Sequence, residues 1–268
     1  GGGLRRGRAS PRRLGGRAAR AQVDDAVLAH RVVAFGHARD RERDGLADLP
    51  PIVSDSLLAL IAMVNADPGG LMVEANAPWA DATALRDHIK SSPPGTIKAS
   101  GTGQGGIWHI GLIGWLRVMG LKFDHVAWVP SNGAGPAMQD LAAGGIDVVT
   151  CSAPEGRALA EAGKTRIFAV MSPERNPVFP SVPTLKEALG IDYTAGAWRG
   201  LAGPKGLPAD IQARLVAAIE SAHTSKEFDD FVASRGFGKL YHPADRFAEF
   251  MAKEDAAMGD IFRSLQKA

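Results

Sequence analysis

Between residues 96 and 171 the sequence alternates short apolar runs with segments of helical character, and this constrains the fold more than any other feature. Residues 96–99, 126–129, 146–150 and 165–171 read as buried strands, with helices expected over 107–119, 136–143 and 154–162. Such alternation predicts an α/β fold with a largely parallel sheet. In sheets of that kind ligands gather at loops leaving the carboxyl ends of strands, here 100–106, 131–135 and 152–155.

The first of these loops is the most informative. Four glycines, Gly101, Gly103, Gly105 and Gly106, lie between a strand and a nearly all-apolar helix. A Gly-rich loop entering a helix presents bare N–H groups at the positive end of the helix dipole, which suits an anion. No Gly-Lys-Ser/Thr closes the loop as in a P-loop, and no acidic residue follows at the distance a dinucleotide site needs. A carboxylate or other small anion fits better. Tight strand-to-helix packing would call for the same glycines.

Upstream, the run 57–65 predicts a buried strand closed by a turn at Asp67-Pro68-Gly69-Gly70, with a second strand at 71–74. Asp81 is placed to cap a helix running to Lys90. Downstream come a Pro-rich connector at 173–183, a short helix at 185–189 and a strand at 195–201. The remainder reads as helices over 209–223, 227–234 and 245–266, packed as a layer on the first lobe.

Residues 1–44 read differently. They hold eleven Arg, no Lys and five acids, with no apolar period, and are expected to be disordered apart from a short element within 24–35. The rest of the chain has twenty basic and twenty-four acidic residues, which argues against a nucleic-acid partner. No apolar run is long enough to span a bilayer, and the Arg-rich start lacks the apolar stretch of a secretory signal. The single cysteine, Cys151, has no histidine neighbour in sequence to make it a nucleophile. The seven histidines are scattered, with no metal-ligand spacing, so neither a metal nor another cofactor is expected.

Five stretches in order, GTGQGGIWH, HVAWVPSNGAGPAMQDLAAGGIDVV, EAGKTRIFAVM, ERNPVFPSVPTLKEALG and AWRGLAGPKGLP, resemble the solute-binding proteins of tripartite tricarboxylate transporters, the Bug family. The resemblance implies a two-lobe periplasmic-binding-protein fold of the type 2 topology. Lobe I would comprise 45–97 plus 199–268, with its N-terminal part incomplete, and lobe II would comprise 98–198. It implies a periplasmic, monomeric receptor that captures a small carboxylic acid and delivers it to membrane subunits, without catalysis. An effector-sensing domain or an enzyme on the same scaffold is the alternative.

Carried over by position, the ligand loop is Gly103, Gln104, Gly105, Gly106 and Ile107, with His109 in the following helix. Gly106 stands where many members have a carboxylate-contacting serine, so that contact would be a backbone N–H here. The loop 130–135, with Ser131, Asn132 and Gly133, matches the second ligand loop, where Ser131 and Asn132 replace a more usual aromatic and Lys. Trp198 matches an aromatic near the interlobe strand; Ser152 is a candidate from its place at the end of a third strand. The family's opening strand and its P-F-x-x-G-G-x-x-D loop have no counterpart in this text, from which weak or absent ligand binding is expected.

Overall fold

The computed structural model describes residues 33–36 and 58–265. Its organising element is β2, Leu58–Glu74, a 17-residue strand that serves two sheets in succession. Residues 58–68 pair antiparallel with β7, Gly196–Pro204, and part of this stretch also pairs with β8, Lys239–Pro243. Residues 69–74 pair antiparallel with β5, Val148–Ser152, and β6, Thr165–Val170. The run is buried on both faces, with Ile61, Ala62, Met63, Leu71, Met72 and Val73 fully enclosed, which is why its hydrophobicity does not alternate.

The Asp-Pro-Gly-Gly stretch therefore does not turn the chain. Pro68 lies where β2 changes partners, so its missing N–H interrupts no ladder. Gly69 donates to Ala195 O at 2.8 Å and accepts from Met171 N–H at 2.7 Å, keeping the backbone paired through the crossing.

The second sheet runs β4-β3-β5-β2-β6, with β3 at Lys98–Ser100 and β4 at Ala127–Trp128. Its β4, β3 and β5 pairings are parallel, while β2 is the antiparallel member between β5 and β6. Helices cover both faces. One face packs α1 (Ala82–Ser91), most of α2 (Ile107–Val118) and α5 (Leu185–Leu189) around Leu71, Val73, Leu85, Ile89, Leu112 and Trp115. The other packs α3 (Ala134–Ala142) and α4 (Ala153–Glu161) around Met72, Met138, Leu141 and Val149. Each fully enclosed large apolar side chain contributes roughly 1.5–3 kcal/mol relative to exposure.

The lobe boundary expected at 97/98 falls earlier. Residues 69–74 pair within the second sheet and α1 packs on it, so both belong to the second lobe. Asp81 caps α1 as anticipated, its Oδ1 accepting from Ala84 N–H at 2.9 Å.

The first lobe's sheet runs β1-β7-β2-β8, where β1 is Val33–Gly36. That strand overlaps the short element expected within 24–35; the rest of 1–57 falls outside the described residues. β8 was missed by the helical reading of the C-terminal region, being a five-residue, half-buried strand that ends in proline. Helices α6 (Ala209–His223), α7 (Lys226–Arg235) and α8 (Ala244–Leu265) follow. α8 is not confined to the first lobe. Phe247 and Met251 pack on Met63, whereas Met258 and Ile261 pack against Ile110 and Ile113 of α2 in the second lobe.

The crossing leaves no room for a side chain on β7. A Cβ at Gly196 would lie 2.6 Å from Asp67 O, a backbone atom that cannot swing away. Gly196→Ala should therefore destabilise the protein by about 1–3 kcal/mol, the usual cost of overpacking. Urea unfolding checks this, and an unchanged midpoint would contradict it.

Candidate functional site

The loop after β3 and the start of α2 form one hydrogen-bonded unit. Gly106 is the N-cap of α2 and donates its N–H to Gly103 O at 3.1 Å, closing a tight turn. Gly105, at φ +75°, adopts the left-handed conformation glycine tolerates best and donates to His109 Nδ1 at 3.0 Å. Two of the amides expected to face an anion are thus used inside the loop. The N–H groups of Gly103, Gln104 and Ile107 have no acceptor among the described residues.

His109 braces this arrangement. Its Nδ1 is the acceptor for Gly105, so the neutral ring carries its proton on Nε2. The ring stacks on Trp128 at a centroid distance of 4.6 Å, and burial pushes its pKa down to about 4. It is therefore uncharged at neutral pH and holds the shape of the loop rather than supplying a cation.

The second loop is tied to the first. Ser131 donates its N–H to Thr102 O at 3.1 Å and its hydroxyl to Gly133 O at 3.0 Å. Asn132 is exposed beside it, and Gly133, at φ 148°, is the N-cap of α3. The starts of α2 and α3 consequently open at the same end of the sheet. Thr102 and Trp128 adjoin both loops, through the Ser131–Thr102 bond and the stacking of Trp128 on His109. Among the described residues, the buried Thr102 Oγ1 and Trp128 Nε1 have no hydrogen-bond partner.

Two expected residues have other roles. β5 runs directly into α4, and Ser152 is the N-cap there, its hydroxyl and N–H both donating to Glu155 Oε2 at 2.7 and 3.1 Å. Trp198 lies in the first lobe's apolar cluster, edge-on to Phe247 at 5.5 Å and Phe250 at 5.7 Å. The structure does not bring it to the glycine loop. A separate cavity of about 50 Å³ lies on the side of α2 that meets α8, lined by Ile110, Gly111, Tyr193, Glu254 and Met258 among others. Burial raises the Glu254 carboxyl, and the space suits a water molecule or two rather than a solute.

A pH dependence follows from His109. The unfolded chain binds a proton near the ordinary histidine value of 6.5, whereas the folded chain resists until about 4. Its contribution to stability is complete above 6.5 and is lost as the pH falls toward 4. An NMR titration should show the His109 ring still neutral at pH 5, and a midpoint near 6.5 would contradict the burial described here.

The family model described as "Tripartite tricarboxylate transporter family receptor" (TctC) matches residues 48–266. A curated relative from Pseudomonas sp. strain P51, the UPF0065 protein in the tcbD-tcbE intergenic region, is 30% identical over 173 residues. That match covers 64% of this chain but only 50% of the relative. A TctC solute-binding protein from Polaromonas, solved without ligand, is 29% identical, with a TM-score of 0.71 over 95% of this chain and 85% of its own. MatC from Rhodopseudomonas palustris, solved with bound malate, is 24% identical, with a TM-score of 0.65 over 76% of this chain and 69% of its own, and so shares the fold. The two-lobe periplasmic-binding-protein architecture is common to these structures and to the one described above. With most of its length matched by the family model, the chain belongs to the tripartite tricarboxylate transporter receptor (TctC) family.

Proposed function

We propose that this protein is a periplasmic receptor for a small carboxylic acid, binding it between the lobes and passing it to the membrane subunits of a tripartite transporter. It acts as a monomer and without catalysis. The observation that carries this reading is a contrast among helix starts. Among the described helices, only α2 and α3 have neither a side-chain cap nor an acidic residue in the first turn. α1 and α7 are capped by Asp81 and Ser225, while α4, α5, α6 and α8 carry Glu155, Glu187, Asp210 and Asp245 in their first turns.

An uncapped helix start holds roughly half a positive charge and unmet N–H donors. The two bare starts adjoin, joined by the Ser131–Thr102 bond. An anion placed there meets donors from Gly103, Gln104, Ile107 and the start of α3 without any nearby Lys or Arg. Bonds of this charge-assisted kind contribute about 1.5–3 kcal/mol each. Against the cost of association, two or three of them support weak binding, in the range of about 1 mM to 1 μM. The malate bound to MatC is an anion of the expected size and chemistry.

The loop itself offers a clean probe. A Cβ at Gly103 would meet nothing within 4 Å, whereas Gly105 has a positive φ and a Cβ at Gly106 would lie 3.0 Å from Gly103 O. Gly103→Val should leave the fold intact and weaken carboxylate binding at least about tenfold. Calorimetric titration with malate, alongside a thermal melt, checks both halves. Unchanged affinity with an unchanged melt would place the site elsewhere.

A further inference from the structure

The glycine loop can hold one carboxylate, but it offers nothing for a second. We infer that Arg199 is the second anion anchor of the cleft, selecting ligands with a further carboxylate; this rests on the receptor reading above.

The alternation of β7 sets the face on which Arg199 lies. Trp198 faces Phe247, and a Cβ at Gly200 would also meet that ring, at 2.3 Å, so both point toward α8. Ala197 points the other way and lies in the buried cluster that includes Ile107 and Trp108, the first residues of α2. Arg199 returns to the face of Ala197. It is the only Lys or Arg in either crossing strand.

The lobes also meet here. Arg199 lies over Phe237, its Cζ 5.5 Å from the ring centroid. The adjoining Gly236 abuts the second lobe, where its Cβ would lie 3.3 Å from Val178 and 3.7 Å from Pro154 at the start of α4. Gly69 donates to Ala195 O at 2.8 Å, and a Cβ there would lie 3.4 Å from the Trp108 ring, so the start of α2 adjoins β7. Ala195 and Arg199 are four strand positions apart, roughly 13 Å. An arginine side chain and a short dicarboxylate can share that span.

The guanidinium is held in place and only partly used. Its Nη1 donates to Asn65 Oδ1 and to Asp67 Oδ2. Asp67 is 1% exposed and also accepts from Gly238 N–H at 2.8 Å and Asn65 Nδ2 at 3.1 Å. Among the described residues, Nε and Nη2 of Arg199 have no hydrogen-bond partner, and its side chain is 44% exposed. A planar, preoriented guanidinium edge of this kind suits a carboxylate. Holding it by a buried acid spares the ligand the cost of ordering it.

Comparing succinate with butyrate, chain-matched acids with two carboxylates and one, tests the inference by calorimetry on the full chain. The wild-type protein should bind succinate at least about tenfold more tightly than butyrate. Arg199→Gln alone would strand the buried Asp67 carboxylate and could unfold the chain. The variant for the test is therefore Asp67→Asn combined with Arg199→Gln, checked by thermal melt, in which the ratio should fall to about one. A ratio that survives in the double variant, including a parallel loss of both affinities, overturns the role of Arg199. So does a wild-type protein that binds the two acids equally. Binding of neither acid by the wild-type protein would instead overturn the receptor reading itself, and this inference with it.

Discussion

Asp67 is a carboxylate with 1% exposure, set into the strand that both sheets share. An ionised acid so enclosed is tolerated only when its lone pairs are met, and here Asn65, Gly238 and Arg199 meet them. Those partners come from three places in the sequence: β2 itself, the residue before β8, and β7. One side chain thereby fastens the first lobe's strands together at the end where β2 leaves them. The next residues, Pro68 and Gly69, carry the backbone into the second sheet without leaving a ladder amide unmet. Both lobes are built outward from this crossing.

Its position bears on the proposed ligand capture because the start of α2 adjoins it, a Cβ at Gly69 lying 3.4 Å from the Trp108 ring. The second lobe then separates two kinds of helix start. Those that must only be stable are closed off by Asp81 or by an acid in the first turn, Glu155 or Glu187. Those of α2 and α3 are left open, and the loop before α2 is stiffened from behind by the neutral His109 stacked on Trp128. α8 adds a second interlobe link, since its far end packs on α2 through Met258 and Ile261.

Much of this was legible locally. The strands at 98–100, 127–128, 148–152 and 165–170 and the helices between them were readable because each is a short periodic segment bounded by Gly, Pro or a cap. The loops at 101–106 and 131–135 stood out for the same reason. The continuity of β2 was not, because Asp-Pro-Gly-Gly has the local chemistry of a turn and only the partners across it make it strand. The lobe boundary and the membership of α1 followed from that misreading. β8 and the straddling of α8 depend on packing between distant residues, which spacing cannot register. Ser152 read as a candidate ligand contact at a strand end, and Glu155 three residues on is the capping partner its hydroxyl meets. Arg199 drew no attention as a single charge in a strand, and its value emerges only beside Asp67 and Phe237.

A carboxylate is proposed to sit on the open starts of α2 and α3. Backbone amide chemical shifts recorded during titration with succinate test it most directly. The largest changes should fall on Gly103, Gln104 and Ile107, with Asn132 and Gly133 following on the same binding curve. Largest changes at Tyr193, Glu254 and Met258, around the cavity between α2 and α8, with the glycine loop unmoved, would contradict it.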